Sequence, residues 1–258
     1  MAKADDLTSG WKLWKQTFKA YRLHFWRYTG IILIIIVPSI ILSAIAAGDP
    51  TVAAYGALAS LIMNAALIYA VITLGSTPES NVSFRELYYA SSSVLVRYII
   101  VGVVLAAMLV PAALGLGLIG LGSNGTAGPP LGELLLLSLV GFIVALPSIY
   151  LLVRNGLAII TVYGGNRWPG EALRRSRQIT AGRFWAVLAR YLILLLGLLV
   201  VVLPGALAII GMFLITRSEL FLSLFQVLSV AIILPLLYIY LYKLHQSLIS
   251  LHQLHEEK

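Results

Sequence analysis

Residues 191–215 read YLILLLGLLVVVLPGALAIIGMFLI, an apolar run without one charged side chain, and this stretch decides the fold. A bilayer core about 30 Å thick is crossed by roughly 17 to 25 apolar residues in a helix, the form in which a single segment satisfies its own backbone inside lipid. Five further runs meet the same test, at 29–47, 52–75, 98–121, 134–153 and 220–242. The composition agrees. Of 258 residues, 60% are apolar and 11% charged, and mean hydropathy is +0.96, whereas soluble domains carry about 25% charged residues. These values exclude a water-soluble globule and predict an all-α polytopic membrane protein, residues 1–258 forming one integral membrane domain with six transmembrane helices.

Placement of the cations orients the spans, because Lys and Arg are retained on the cytoplasmic side. Lys and Arg number 18 against 10 acids, for a net charge of +8. With the N-terminus inside, Lys3, Lys12, Lys15, Lys19, Arg22 and Arg27 precede the first span, and Arg85 and Arg97 lie between the second and third. Arg154, Arg167, Arg174, Arg175, Arg177, Arg183 and Arg190 lie between the fourth and fifth, and Lys243 and Lys258 follow the sixth. Only Arg217 falls on the far side, with Asp49, Glu133 and Glu219. Both termini are therefore expected in the cytoplasm. Ala44-Ile45-Ala46 resembles a cleavage site, but the first apolar run exceeds the roughly 7 to 15 residues of a signal peptide's apolar core, so a retained helix is expected.

An internal repeat is expected as well. Arg97-Tyr98 is followed by Pro111 at the interval that separates Arg190-Tyr191 from Pro204, and the register extends to Ile100 with Ile193 and Leu105 with Leu198. On the partner spans, Leu146-Pro147-Ser148-Ile149-Tyr150 resembles Leu234-Pro235-Leu236-Leu237-Tyr238, and Arg27-Tyr28 followed by Pro38 is a looser copy. Three parallel-repeated hairpins result, over approximately 7–75, 82–165 and 168–258. Each has an inner-surface segment, an outgoing span with a Pro at mid-depth, and a returning span.

Two of the inner-surface segments read as amphipathic helices. Trp11, Trp14, Phe18, Tyr21 and Phe25 fall at helical steps that keep one face aromatic, while Lys12, Lys15, Lys19 and Arg22 follow one residue on as a basic stripe. Thr8 or Ser9 is placed to cap the start. Such a helix suits the headgroup layer, aromatics down and cations on phosphates; packing of its aromatic face on the protein's own bundle is the other reading. A second surface helix opens at Trp168-Pro169-Gly170-Glu171, with a small-residue ridge at Ala172, Ser176 and Thr180. Arg174, Arg175 and Arg177 lie off that ridge, as anionic-lipid contacts or as ordinary retention charges. Gly182 begins the bend into the fifth span.

No Asp, Glu, Lys, Arg or His lies deep in a span, which argues against proton-coupled transport. Asn64 is the most polar side chain at depth and is expected to bond to another helix. Pro38, Pro111, Pro147, Pro204 and Pro235 interrupt five spans. At about 1.5 Å per residue they lie about 11 to 21 Å from the nearest inner cation. Each removes a backbone donor, so the kinks are expected either to pack simply or to open a central space. His245 and His252 share a face of the C-terminal helix, read as a solvated tail or one that pairs between subunits. Cys is absent, and so are the zinc-protease, nucleophile-elbow and phosphate-loop motifs. No enzyme activity, cofactor, metal or nucleic-acid partner is expected.

The run Leu146-Pro147 through Arg154 to Glu171-Ala172-Leu173-Arg174-Arg175-Ser176, then Thr180, Gly182-Arg183 and Trp185, resembles the membrane domain attached to some bacterial glycerophosphoryl diester phosphodiesterases. It is also similar to related six-helix proteins of the bacterial inner membrane that stand alone. In the fused proteins the activity resides in a separate soluble barrel, which nothing here matches. The resemblance implies a bacterial plasma-membrane location. The function expected is a non-enzymatic scaffold or accessory protein of the envelope that contacts anionic lipid, a protein partner or a second copy. The alternatives are a transporter or channel for a lipid-like or weakly polar solute, and a lipid-modifying enzyme with polar groups converging around Arg154, Asn155 and Arg174.

Overall fold

The computed structural model describes residues 7–46, 49–77, 82–123, 131–216 and 219–256. Among them there are helices and no strand: α1 (Gly10–Leu23), α2 (Phe25–Ile45), α3 (Pro50–Ser76), α4 (Phe84–Ser92), α5 (Leu95–Met108), α6 (Val110–Ser123), α7 (Leu131–Asn155), α8 (Ala158–Gly165), α9 (Pro169–Thr180), α10 (Phe184–Thr216) and α11 (Glu219–Glu256). Six stretches are long and apolar enough to cross a bilayer, namely Phe25–Leu42, Pro50–Ser76, Leu95–Gly117, Leu135–Gly165, Phe184–Thr216 and Val227–Gln253. The chain is an all-α polytopic membrane protein. Its spans pack as sequential hairpins, α2 on α3, α6 on α7 and α10 on α11. Arg217 lies outside the described residues.

The prolines act differently from one another. Pro38, Pro147, Pro204 and Pro235 sit inside continuous helices. At Pro111 the third span does break, and Leu109 turns to donate its N–H to Ala106 O and Ala107 O. Ala112 N then donates to Ser148 Oγ at 3.0 Å, so a buried hydroxyl on the neighbouring span serves the broken ladder. A freed backbone group in lipid is costly, and the side chain beside Pro147 supplies its partner.

Two helices extend beyond the apolar runs. After Asn155 the chain bends at Gly156, where an added Cβ would lie 2.9 Å from Tyr191 Oη, and continues as α8. α11 passes Tyr242 without interruption through Glu256. Leu244 and Leu248 explain the continuation, since both are fully buried against the same cluster as Leu13 and Val187. The reading of a solvated tail is therefore corrected: Leu244 and Leu248 are covered within the chain.

Burial is concentrated toward the ends of the spans that carry the cations. The largest fully buried side chains include Tyr28, Ile31, Leu74, Leu157, Ile179 and Tyr240. α3 is the central helix, with Ala59, Met63, Ala66, Ala70 and Leu74 buried along one side. Small residues matter here because lipid gives no hydrophobic push between helices, and close backbone approach supplies the dispersion instead. Leu195, Leu199, Leu203 and Leu207 of α10 are outward and exposed, as a lipid-facing surface requires.

Candidate functional site

α1 begins at Ser9, but neither Ser9 nor Thr8 caps it through a side chain. The expected cap is replaced by a clamp from α10. Arg190 Nη2 donates to Leu7 O at 3.1 Å and Nε to Thr8 O at 3.5 Å, while Nη1 holds Ala186 O at 3.0 Å. Tyr240 Oη donates to the carbonyl of Arg190 itself at 3.0 Å. An Arg fork presents its donors in fixed directions, so it sets where α1 starts.

The aromatic face of α1 is divided. Trp14 is 3% exposed, its indole rests on α10 where Gly197 has no side chain, and Nε1 donates to Ile193 O at 2.9 Å. Gly10 likewise meets Ile193, and Tyr21 Oη reaches Ala231 O at 3.4 Å. That carbonyl lies four residues before Pro235, so it has lost its helical donor. Trp11 and Phe18 remain 67% and 46% exposed. The bundle-packing reading of α1 holds for part of its aromatic face. Leu13, Trp14 and Thr17 pack on the bundle, while Trp11 and Phe18 face outward.

Lys12, Lys15, Lys19 and Arg22 are all exposed, and none has a hydrogen-bond or ion-pair partner among the described residues. Gln16, Lys19 and Ala20 line a shallow groove against Lys243, Gln246 and Ser250 of α11. Like charges there repel, and the nearest relief would come from an anion.

The second basic group is organised otherwise. Ala172, Ser176 and Thr180 of α9 are buried as one ridge. Ser176 Oγ donates to Arg154 O at 2.8 Å, and Thr180 Oγ1 to the same carbonyl at 3.5 Å. Arg177 Nε donates to Asn155 Oδ1 at 2.8 Å, so this Arg is engaged in docking α9 on α7. Arg174 is exposed and Arg175 half-exposed. The Arg154 carbonyl and the Asn155 side chain meet α9, whereas the Arg154 guanidinium donates to Tyr150 Oη at 2.7 Å. Arg97 Nη1 donates to Asn166 O at 2.9 Å and contacts Asn166 Oδ1, and its guanidinium covers the ring of Trp168. Asn166, at φ 48°, turns the chain into α9.

Within the spans, Asn64 is paired at both ends: Nδ2 donates to Ser60 O at 2.7 Å, and Oδ1 accepts from Tyr238 Oη at 2.8 Å. Pro38, Pro147 and Pro204 are exposed on the outside of the bundle, Pro111 is half-buried and Pro235 buried. The five do not converge on one space. His245, read from sequence as solvated, is 7% exposed and lies 3.2 Å from Thr161 Oγ1 through Nε2. Because the Thr161 hydroxyl donates to Leu157 O, its oxygen is left to accept from Nε2–H.

Sequence reasoning missed the Arg97 and Arg190 clamps, reading both residues as retention charges and as anchors of the repeat. It also missed Ser83-Phe84-Arg85-Glu86, a capping box that starts α4, although Ser followed three residues later by Glu is a legible signal. Among the described residues no cluster of three metal-ligating side chains occurs. No family model matches the chain, and neither curated proteins nor solved structures give a match.

Proposed function

We propose that this chain is a non-enzymatic protein of the bacterial inner membrane, with both termini in the cytoplasm, that supports an envelope process by holding anionic lipid at the inner leaflet. One observation carries the reading: α1 is anchored by Trp14 and Arg190, yet it leaves Lys12, Lys15, Lys19 and Arg22 exposed and unpaired beside exposed Trp11 and Phe18. Cations near an anionic leaflet are worth about 1 kcal/mol each, and aromatic side chains favour the same interfacial depth. A fixed helix that spends neither group internally has both to offer to lipid.

Transport has the weaker support, since Asn64 is paired at both ends and three of the five prolines face outward. The repeat is supported by a recurring contact. Arg97 grips the turn ahead of α9, and Arg190, its counterpart in the sequence register, grips the segment ahead of α1. Kinship with the membrane domain of the phosphodiesterase type remains part of the proposal on its short motifs.

The test is lipid retention by the purified full-length protein. The four-cation variant, Lys12, Lys15, Lys19 and Arg22 all to Gln, should retain several-fold less phosphatidylglycerol than the parent after detergent extraction. Retention by the parent should also fall with salt, because the Debye length shortens from about 10 Å at 0.1 M to about 3 Å at 1 M. Equal retention by the two proteins would overturn the proposal.

A further inference from the structure

Beside the seated Trp14, α1 and α10 border an open trough of about 630 Å³. Trp11, Lys15 and Phe18 line it from α1, and Leu196 and Val200 from α10. The indole N–H of Trp14, which also lines the trough, is already spent on Ile193 O. Along α10 the trough runs from Ile193 to Val201, about 12 Å at 1.5 Å per residue. One leaflet of a bilayer core is about 15 Å deep. Ile193 lies within a turn of Arg190, one of the cations that define the inner surface, so the trough begins at that surface and descends into the hydrocarbon.

We propose that this trough seats one acyl chain of an anionic phospholipid, with the phosphate held by Lys15. The inference rests on the proposed function, and it adds a discrete site where that reading needs only a charged surface. Charge selects the occupant. Lys15 is exposed without a partner, Lys12 and Lys19 stand on the same helix, and no acid occurs in α1. The apolar walls give a chain dispersion contacts along its length, while the ammonium distinguishes an anionic headgroup from a zwitterionic one.

The experiment uses full-length protein in which Trp26, Trp168 and Trp185 are Phe, so that Trp11 and Trp14 report. Phosphatidylglycerol or phosphatidylcholine with brominated chains is titrated into mixed micelles, and quenching is measured. Brominated phosphatidylglycerol should quench at about fivefold lower mole fraction, which is what about 1 kcal/mol for one cation amounts to. Lys15→Gln should abolish that preference. Val200→Phe should reduce quenching by both lipids, and because Val200 is 71% exposed the protein should keep its Tm. Equal quenching by the two lipids in the parent would overturn the proposal. So would quenching that Val200→Phe leaves unchanged, or that follows protein concentration in place of lipid, as contact with a second copy requires. Retention by the four-cation variant is read on the same preparations: unchanged retention sinks the broader reading, whereas reduced retention with Lys15→Gln silent in quenching sinks the trough alone.

Discussion

At Gly197 the missing side chain is what admits Trp14 to the face of α10. Gly197→Val should expel the indole and cost about 1 to 3 kcal/mol, the usual range for overpacking. Thermal unfolding in detergent measures it, and pairing it with Trp14→Leu should recover part of the loss, since contacting sites are not additive. Arg190→Lys keeps the charge but loses the fork that holds Leu7, Thr8 and Ala186. Hydrogen bonds from charged groups contribute about 1.5 to 3 kcal/mol, so α1 should loosen. Trypsin provides the readout, because Lys12, Lys15, Lys19 and Arg22 become cleavable once the helix lifts. If Arg190→Lys is cut no faster than the parent, the clamp does not hold α1. Neither contact was legible beforehand. Trp14 and Ile193 lie 179 residues apart in the chain, and the helical spacing of the aromatics specifies a face without specifying what it meets.

Helix ends show how much local sequence dictates. Ser83 Oγ accepts from Glu86 N, and Glu86 Oε2 accepts from Ser83 N at 2.8 Å, so both orphan donors at the start of α4 are served. Ser83→Ala should cost about 1 kcal/mol, measured as a lower Tm. The Ser83 N–H, with the nearby hydroxyl, holds the Glu86 carboxyl below its usual range, and the hydroxyl and N–H of Thr51 do the same for Asp49 at the start of α3. A depressed carboxylate stabilises the fold fully above its unfolded pKa and less as pH falls through its folded one. Acid should therefore loosen α3 and α4 at their first turns, and Glu86→Gln should flatten that part of a Tm profile below pH 5. The spans themselves were legible because lipid demands long charge-free runs. Less so were α8, whose short β-branched stretch Ile159, Ile160, Thr161 and Val162 has no helical period, and the far end of α11. There Lys243, His245 and Gln246 end the apolar run, while Leu244 and Leu248 keep the helix packed.

On the scale of the whole molecule, orientation is the first thing to test, and the absence of Cys makes it simple. Single Cys at Glu133 and at Arg174 can be introduced on a silent background. In intact cells a membrane-impermeant maleimide should label Glu133→Cys and reach Arg174→Cys only after permeabilisation; the reverse pattern would turn the molecule over and remove the leaflet assigned to α1. The basic asymmetry was the legible part of this arrangement. How the units interlock was not, since Arg97 and Arg190 serve retention and clamping with the same charge.

The seat of α1 also imposes an order on biogenesis. The groups of α10 and α11 that house it, Arg190, Ile193, Gly197, Ala231 and Tyr240, are translated long after the helix itself. The nascent chain must therefore thread five spans while α1 waits undocked from α10 and α11, and closure of the bundle around α1 follows the synthesis of both.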